Sequence, residues 1–155
     1  MSKYSGLEAA LRSTRLNALN EIAAGERTGT DVIACEELLP PWTKEGPKGD
    51  GSHEAGEPCT HAGQAWKCCQ AHNTNNNPDI APGTHPAQWA PYHTKDPKKA
   101  KPFIPPTGAH DAYAKDECCV WTDGLTYIST METANAYSPE AYPAGWKLYK
   151  EGGTA

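Results

Sequence analysis

The sequence is short of aliphatic side chains. Leucine, isoleucine, valine and phenylalanine together make up sixteen of its 155 residues, well under the roughly 20% that ordinarily fills an aliphatic core. That shortage excludes a single large enzyme-like core. Long apolar runs are missing too: no stretch approaches the ~18 apolar residues of a membrane helix, so membrane insertion is not expected. The first thirty residues hold no apolar segment of the kind found in a cleaved secretion signal. Charge is also weak. A net charge of −5 without a basic stripe excludes nucleic acid as the main partner, and the basic cluster from Lys95 to Lys101 reads as a solvated linker.

What the chain does have is rings and turn formers. Five tryptophans and seven tyrosines argue against disorder, which goes with few aromatics and high net charge. Fourteen glycines and fourteen prolines predict frequent turns and short elements. Six cysteines stand at 35, 59, 68, 69, 118 and 119. Two adjacent pairs in a chain without a secretion signal predict reduced thiols that pack as small hydrophobes. The cluster Cys59-x-His61 and Cys68-Cys69-x-x-His72 invites a metal reading, because a hairpin turning at Ala62-Gly63 makes Cys59 and Cys68 diagonal neighbours. Its spacing fits no tetrahedral zinc pattern, and no metal or cofactor is expected.

The chain changes character near residue 40. Twelve of the thirteen aromatics lie at or after Trp42. Before it, Ser5 and Glu8 fit a capping box, and Leu7, Leu11, Ala18, Leu19 and Ile22 form a helical stripe that Gly25 ends. A helix over 6–24 follows, then a shorter one capped by Thr30 and running to Leu39, where Pro40-Pro41 stops it. Together they predict a helical hairpin whose apolar stripe needs a partner. Beyond Trp42 a weak repeat of roughly 55 to 60 residues appears. Each copy reads as a hairpin, a loop and a closing tryptophan strand, with turns at Ala62-Gly63 and Asp123-Gly124. A two-residue turn at Asp123-Gly124 pairs residue 120 with 127 and turns Trp121 away from Tyr127.

The fold class expected is therefore α+β: an N-terminal helical segment followed by two small, twisted, mainly antiparallel β modules with aromatic cores. The boundaries are a helical assembly segment over 1–41, a first module over 42–93, a linker over 94–102, a second module over 103–150 and a tail over 151–155.

The repeat resembles the small chitin-binding type 3 carbohydrate-binding module, a twisted mini-sheet with an aromatic core. The whole layout is similar to proteins of tailed phages and prophages, in which a short helical segment ending in Pro40-Pro41-Trp42 precedes two such modules. The run from Pro106 to Tyr113, reading PTGAHDAY, and the run from Asn135 to Trp146 carry this resemblance. It implies the fold and a virion location. In sugar-binding members the strand after the hairpin ends in exposed aromatics, whereas Gln70, Ala71, Met131 and Glu132 stand here.

Sugars stack their C–H faces on exposed rings, so only exposed rings qualify as contacts. The resemblance assigns Trp42, Trp66, Trp89, Tyr127 and Trp146 to the cores. Trp121, Tyr137 and Tyr142 remain as the candidate carbohydrate contacts. His110 is expected to fix the turn at Gly108–Asp111, and Asp111, Asp116 and Glu132 to be solvated. No phosphate loop, nucleophile elbow or framed pair of carboxylates is present, so no enzyme activity is expected. The function implied is a non-enzymatic virion accessory protein that displays its modules for adhesion to surface polysaccharide. Its partners are other virion proteins and further copies of itself. The rival is a purely structural role, decorating the capsid or bridging tail and fibre parts, without sugar.

Overall fold

The computed structural model describes residues 5–150, apart from the side chains of Ser5 and Leu7. The capping box expected at Ser5 and the tail over 151–155 lie outside the described residues.

Helix α1 spans Ser5–Ala23, and Gly25, at φ +78°, lets the chain leave it. Its last turns are packed through the buried Ala18 and Ile22. Residues 8–17 lie exposed along the surface, with Leu11 at 61% and Leu16 at 57% exposure. Among the described residues one side-chain bond ties this stretch to another element, from Arg15 Nε to the Leu38 carbonyl at 2.9 Å. Helix α2 is Gly29–Ala34 and gives way to a 3-10 turn over Glu36–Leu38, so the expected helix to Leu39 ends early. Its cap is Thr28, not Thr30. The Thr28 hydroxyl accepts from the Asp31 N–H at 3.2 Å while the Asp31 carboxylate accepts from the Thr28 N–H at 3.4 Å. Thr28 wins because an acid stands three residues on, completing the reciprocal box, where Thr30 would find Ile33.

The scarce aliphatics gather here. Ile22, Val32, Ile33 and Leu39 close over Ala65 of the first sheet, with Leu19, Cys35 and Tyr92 around them. The helical segment thus forms a joint core with the first module, which partners much of the stripe expected to be free.

Five short strands follow: β1 (Ser52–His53), β2 (Pro58–His61), β3 (Gln64–Cys68), β4 (His72–Asn73) and β5 (Trp89–Pro91). β2, β3 and β5 make an antiparallel sheet, and β1 pairs separately with β4. The first hairpin has the expected turn, with Ala62 at φ +52° and Gly63 at φ +76°, both left-handed as a type I′ turn requires. The second sheet contains β6 (Lys101–Pro102), β7 (Cys118–Val120), β8 (Thr126–Ser129) and β9 (Trp146–Leu148), in that order.

Two sequence expectations fail in this second sheet. Its hairpin pairs Cys119 with Tyr127 and Val120 with Thr126, one residue away from the expected register. The loop is Thr122-Asp123-Gly124, closed by Trp121 N–H to the Leu125 carbonyl at 2.9 Å, with Gly124 alone left-handed at φ +79°. This is the three-residue hairpin with a glycine bulge. Strand alternation then puts Trp121 on the same side as Cys119 and Tyr127 instead of opposite them. The second failure is the linker. Within 94–102, Thr94 accepts from the Cys118 N–H at 2.8 Å, Pro97–Lys99 makes a 3-10 turn, and β6 runs parallel to β7. The stretch belongs to the second sheet.

The structure also makes the repeat plain, at a spacing of about sixty residues. Trp42 donates its N–H to the Thr60 carbonyl at 2.8 Å, and Phe103 does the same to Val120 at 2.9 Å. Gly56 and Asp116, at φ +94° and +72°, donate to the carbonyls of Cys68 and Ser129, which donate back to Glu57 and Glu117. Each module therefore opens on a proline–aromatic segment laid parallel to its first hairpin strand. The fold is α+β, one long helix and a short one followed by antiparallel-rich sheets with aromatic clusters. Among the described residues no helix is long and apolar enough to cross a membrane.

Candidate functional site

With so few aliphatics, each module is built around a column of rings. In the first, Trp42 lies parallel to His53 at 6.3 Å and His53 parallel to His72 at 4.9 Å, both at 14°. Trp89 stands edge-on to both imidazoles at 5.5 Å. In the second, Phe103 and Tyr113 are parallel at 5.5 Å, His93 stacks on the Tyr113 ring at 3.7 Å, and Trp146 stands edge-on to Tyr113 at 5.4 Å. Trp66, Trp89 and Trp146 are buried, as the resemblance implied, while Trp42 and Tyr127 are half-buried at the margins of these clusters. The column positions at His53, His72 and His93 were not foreseen, although the pairing of His53 with Tyr113 was available from the sixty-residue spacing.

Of the three candidate contacts, two come together. Tyr137 is 54% and Tyr142 43% exposed, and their rings meet at 5.5 Å and 61°. They form a corner, not a flat platform. Their loop is held from below. The Trp146 indole N–H donates to the Tyr137 carbonyl at 3.0 Å, the Tyr137 N–H donates to Asn135 Oδ1 at 3.1 Å, and the Tyr142 N–H donates to the Ser138 carbonyl at 3.0 Å. Asn135 is fully buried and gives its amide protons to Ser129 Oγ at 3.2 Å and the Gly145 carbonyl at 3.0 Å. The two rings thus stand on an ordered base, which lowers the conformational entropy lost on binding.

Trp121 stands apart from them, beside the hairpin turn. It is half-buried and edge-on to Phe103 at 5.3 Å. His61 holds the matching place in the first module, edge-on to Trp42 at 5.5 Å. Those two rings border an open groove of about 610 Å³ that also takes in Glu36, Glu37 and Lys101. Lys101 Nζ bridges Glu36 Oε1 at 2.8 Å and the Gly63 carbonyl at 3.1 Å, joining the helical segment, the first hairpin and the second sheet.

The acids and thiols are occupied structurally. Asp111, expected to be solvated, is buried. Its carboxylate accepts from the N–H and hydroxyl of Thr107 and from the Gly108 N–H at 2.7 to 3.0 Å. Burial works against its ionisation, but those hydrogen bonds outweigh burial and hold its pKa below the usual carboxylate value. It is Asp111 that pins the turn expected of His110, whose ring instead reaches the Pro86 carbonyl at 3.1 Å. Asp116 and Glu132 are exposed, the latter paired with Lys115 at 2.6 Å. All six cysteines are free thiols, and burial pushes Cys59, Cys68, Cys118 and Cys119 up to about 12. Among the described residues no three His, Cys, Asp or Glu side chains are placed to hold a metal ion. No protein-family model matches the chain, and no curated protein matches it.

Proposed function

We propose that the protein is a non-enzymatic accessory component of a tailed-phage particle that adheres to surface polysaccharide through the Tyr137–Tyr142 corner. The observation behind this reading is that these two rings are exposed together on a loop whose backbone is already ordered. A sugar ring can lay its C–H face on one tyrosine and its edge against the other, with the phenolic hydroxyls free for its polar rim. A single site this small binds weakly. Copies arrayed on one particle supply effective concentration and so avidity.

The test is adsorption of particles, and of the isolated full chain, to host cell-wall polysaccharide. Tyr137→Ala with Tyr142→Ala is expected to lower monomer affinity by about tenfold or more while circular dichroism and particle assembly stay unchanged. Unchanged adsorption together with loosened attachment to the particle would sink adhesion and leave the structural role.

One observation favours that second reading, a decoration or bridging protein: the exposed stretch 8–17 of α1, whose side-chain bond to another element among the described residues is the Arg15 tether. Isolated helices this short are marginal in water, so a partner surface would stabilise it. Deleting residues 1–17, which spares the joint core around Ile22 and Val32, should abolish incorporation if this stretch carries assembly.

A further inference from the structure

The histidine column of the first module is the feature that neither reading uses. His53 is 3% exposed and lies against His72 at 4.9 Å with the rings nearly parallel. Their hydrogen bonds fix the tautomers. Thr74 Oγ1 gives its proton to the carbonyls of Lys44 and Gly51, so it accepts from the His53 Nε2–H at 3.2 Å. His72 Nδ1 lies 2.8 Å from the Gln70 carbonyl and 3.8 Å from Cys68 Sγ, so that nitrogen carries its proton. His72 Nε2 is then a bare lone pair, buried with no partner among the described residues. A proton added there would have no acceptor, and its charge would face a second imidazole across the stack.

Little around the pair would offset such a charge. Trp42 and Trp89 cover it with neutral rings, and His61 stands beyond Trp42. Cys59 and Cys68 share the cluster with Trp89 as protonated thiols, pushed up to about 12 by burial. Asp50 is engaged by Ser52 at 2.9 Å, Lys48 and Glu54 pair with each other at 2.8 Å, and Glu57 shares a cavity wall with His53 without a bond to it. The second column holds a single histidine, His93, stacked on Tyr113 at 3.7 Å; burial holds it too below the ordinary histidine value, but its Nε2 lies 3.0 Å from the Asp111 carbonyl and so has the partner that His72 Nε2 lacks.

We propose that the His53–His72 stack is an acid-operated latch, whose protonation opens the first module. Burial, and then the neighbouring His72, hold His53 below the ordinary histidine value. The folded first module therefore takes up protons less readily than the open one. Its stability is complete above about pH 6.5 and declines as pH falls below that, by about tenfold in the folding equilibrium per pH unit for each proton taken up.

Hydrogen exchange on the intact chain, corrected for intrinsic rates, reads both modules at once. Between pH 7 and pH 5 the amides of residues 59–68 are expected to lose protection by about tenfold or more. His53→Tyr with His72→Asn, the residues of the second module, should flatten the response. His93→Gln, at the second column, should leave it intact. If that double variant does not fold, ring NMR titration of the wild type decides: His53 must titrate below the ordinary histidine value. Constant protection of the first hairpin, a loss there that His93→Gln removes, or a His53 that titrates at the ordinary value in a closed module would overturn the latch.

Discussion

The two modules share one plan and differ at the bonds that close it. Trp89 and Trp146 end their sheets at matching places, paired with Cys68 and Ser129. Trp146 donates its indole proton to the Tyr137 carbonyl, whereas the Trp89 indole proton is buried with no partner among the described residues. Trp42 in the first module is left in the same condition, while the Tyr113 hydroxyl of the second accepts from the Ile104 N–H at 3.1 Å. The second module is thus closed by rings and hydrogen bonds, the first by rings and by the aliphatic cluster it shares with the helices. One repeat can be stabilised in two ways when a neighbour is at hand for only one copy.

The largest test of this contrast is removal of the closing ring. Trp146→Ala and Trp89→Ala should each cost about 3 to 5 kcal/mol, enough to unfold a module of this size. The sharper version keeps the ring: Trp146→Phe should cost about 1 kcal/mol more than Trp89→Phe, because only the former breaks a hydrogen bond. Urea melts of the two variants decide it, and an equal or reversed order breaks the comparison.

Asp111→Asn comes next. It removes a charged acceptor that the first module does without, and should cost about 1 to 3 kcal/mol by thermal melting. Because the folded carboxylate has a lowered pKa, the wild-type advantage should hold above about pH 4 and fade as acid protonates it. The smallest effect lies in the first hairpin turn, where Ala62 sits at φ +52°. Ala62→Gly relieves that left-handed strain and should stabilise the first hairpin by up to about 1 kcal/mol. The second hairpin, whose left-handed place Gly124 already fills, has nothing comparable to gain.

What could be read from the residues follows the same division. The long helix, the Ala62-Gly63 turn and the buried tryptophans were legible because local chemistry decides them. The second hairpin was misread since Asp-Gly fits both a two-residue turn and the end of a three-residue loop, and only the pairing of Cys119 with Tyr127 separates them. The stretch 94–102 looked like a linker because its lysines and prolines are those of a solvated segment, yet parallel pairing with β7 uses backbone that composition does not report. A signal was there, in Pro41-Trp42 and Pro102-Phe103 recurring at the repeat spacing. Asp111 looked solvated because nothing local shows that a loop will fold over its own carboxylate. Tyr137 and Tyr142 were legible as exposed rings, but their meeting as a corner depends on the buried Asn135 beneath them.

The parallel opening segments have a mechanical consequence. If the protein is held by its helix and pulled at the loop carrying Tyr137, tension runs through Pro40–Trp42 lying beside β2 and through β6 lying beside β7. Strands loaded along their length must break their cross-bonds together, not one after another. Rupture under load is set by the unfolding rate and not by the equilibrium stability, so these short pairings can hold longer under a pull than their few hydrogen bonds suggest.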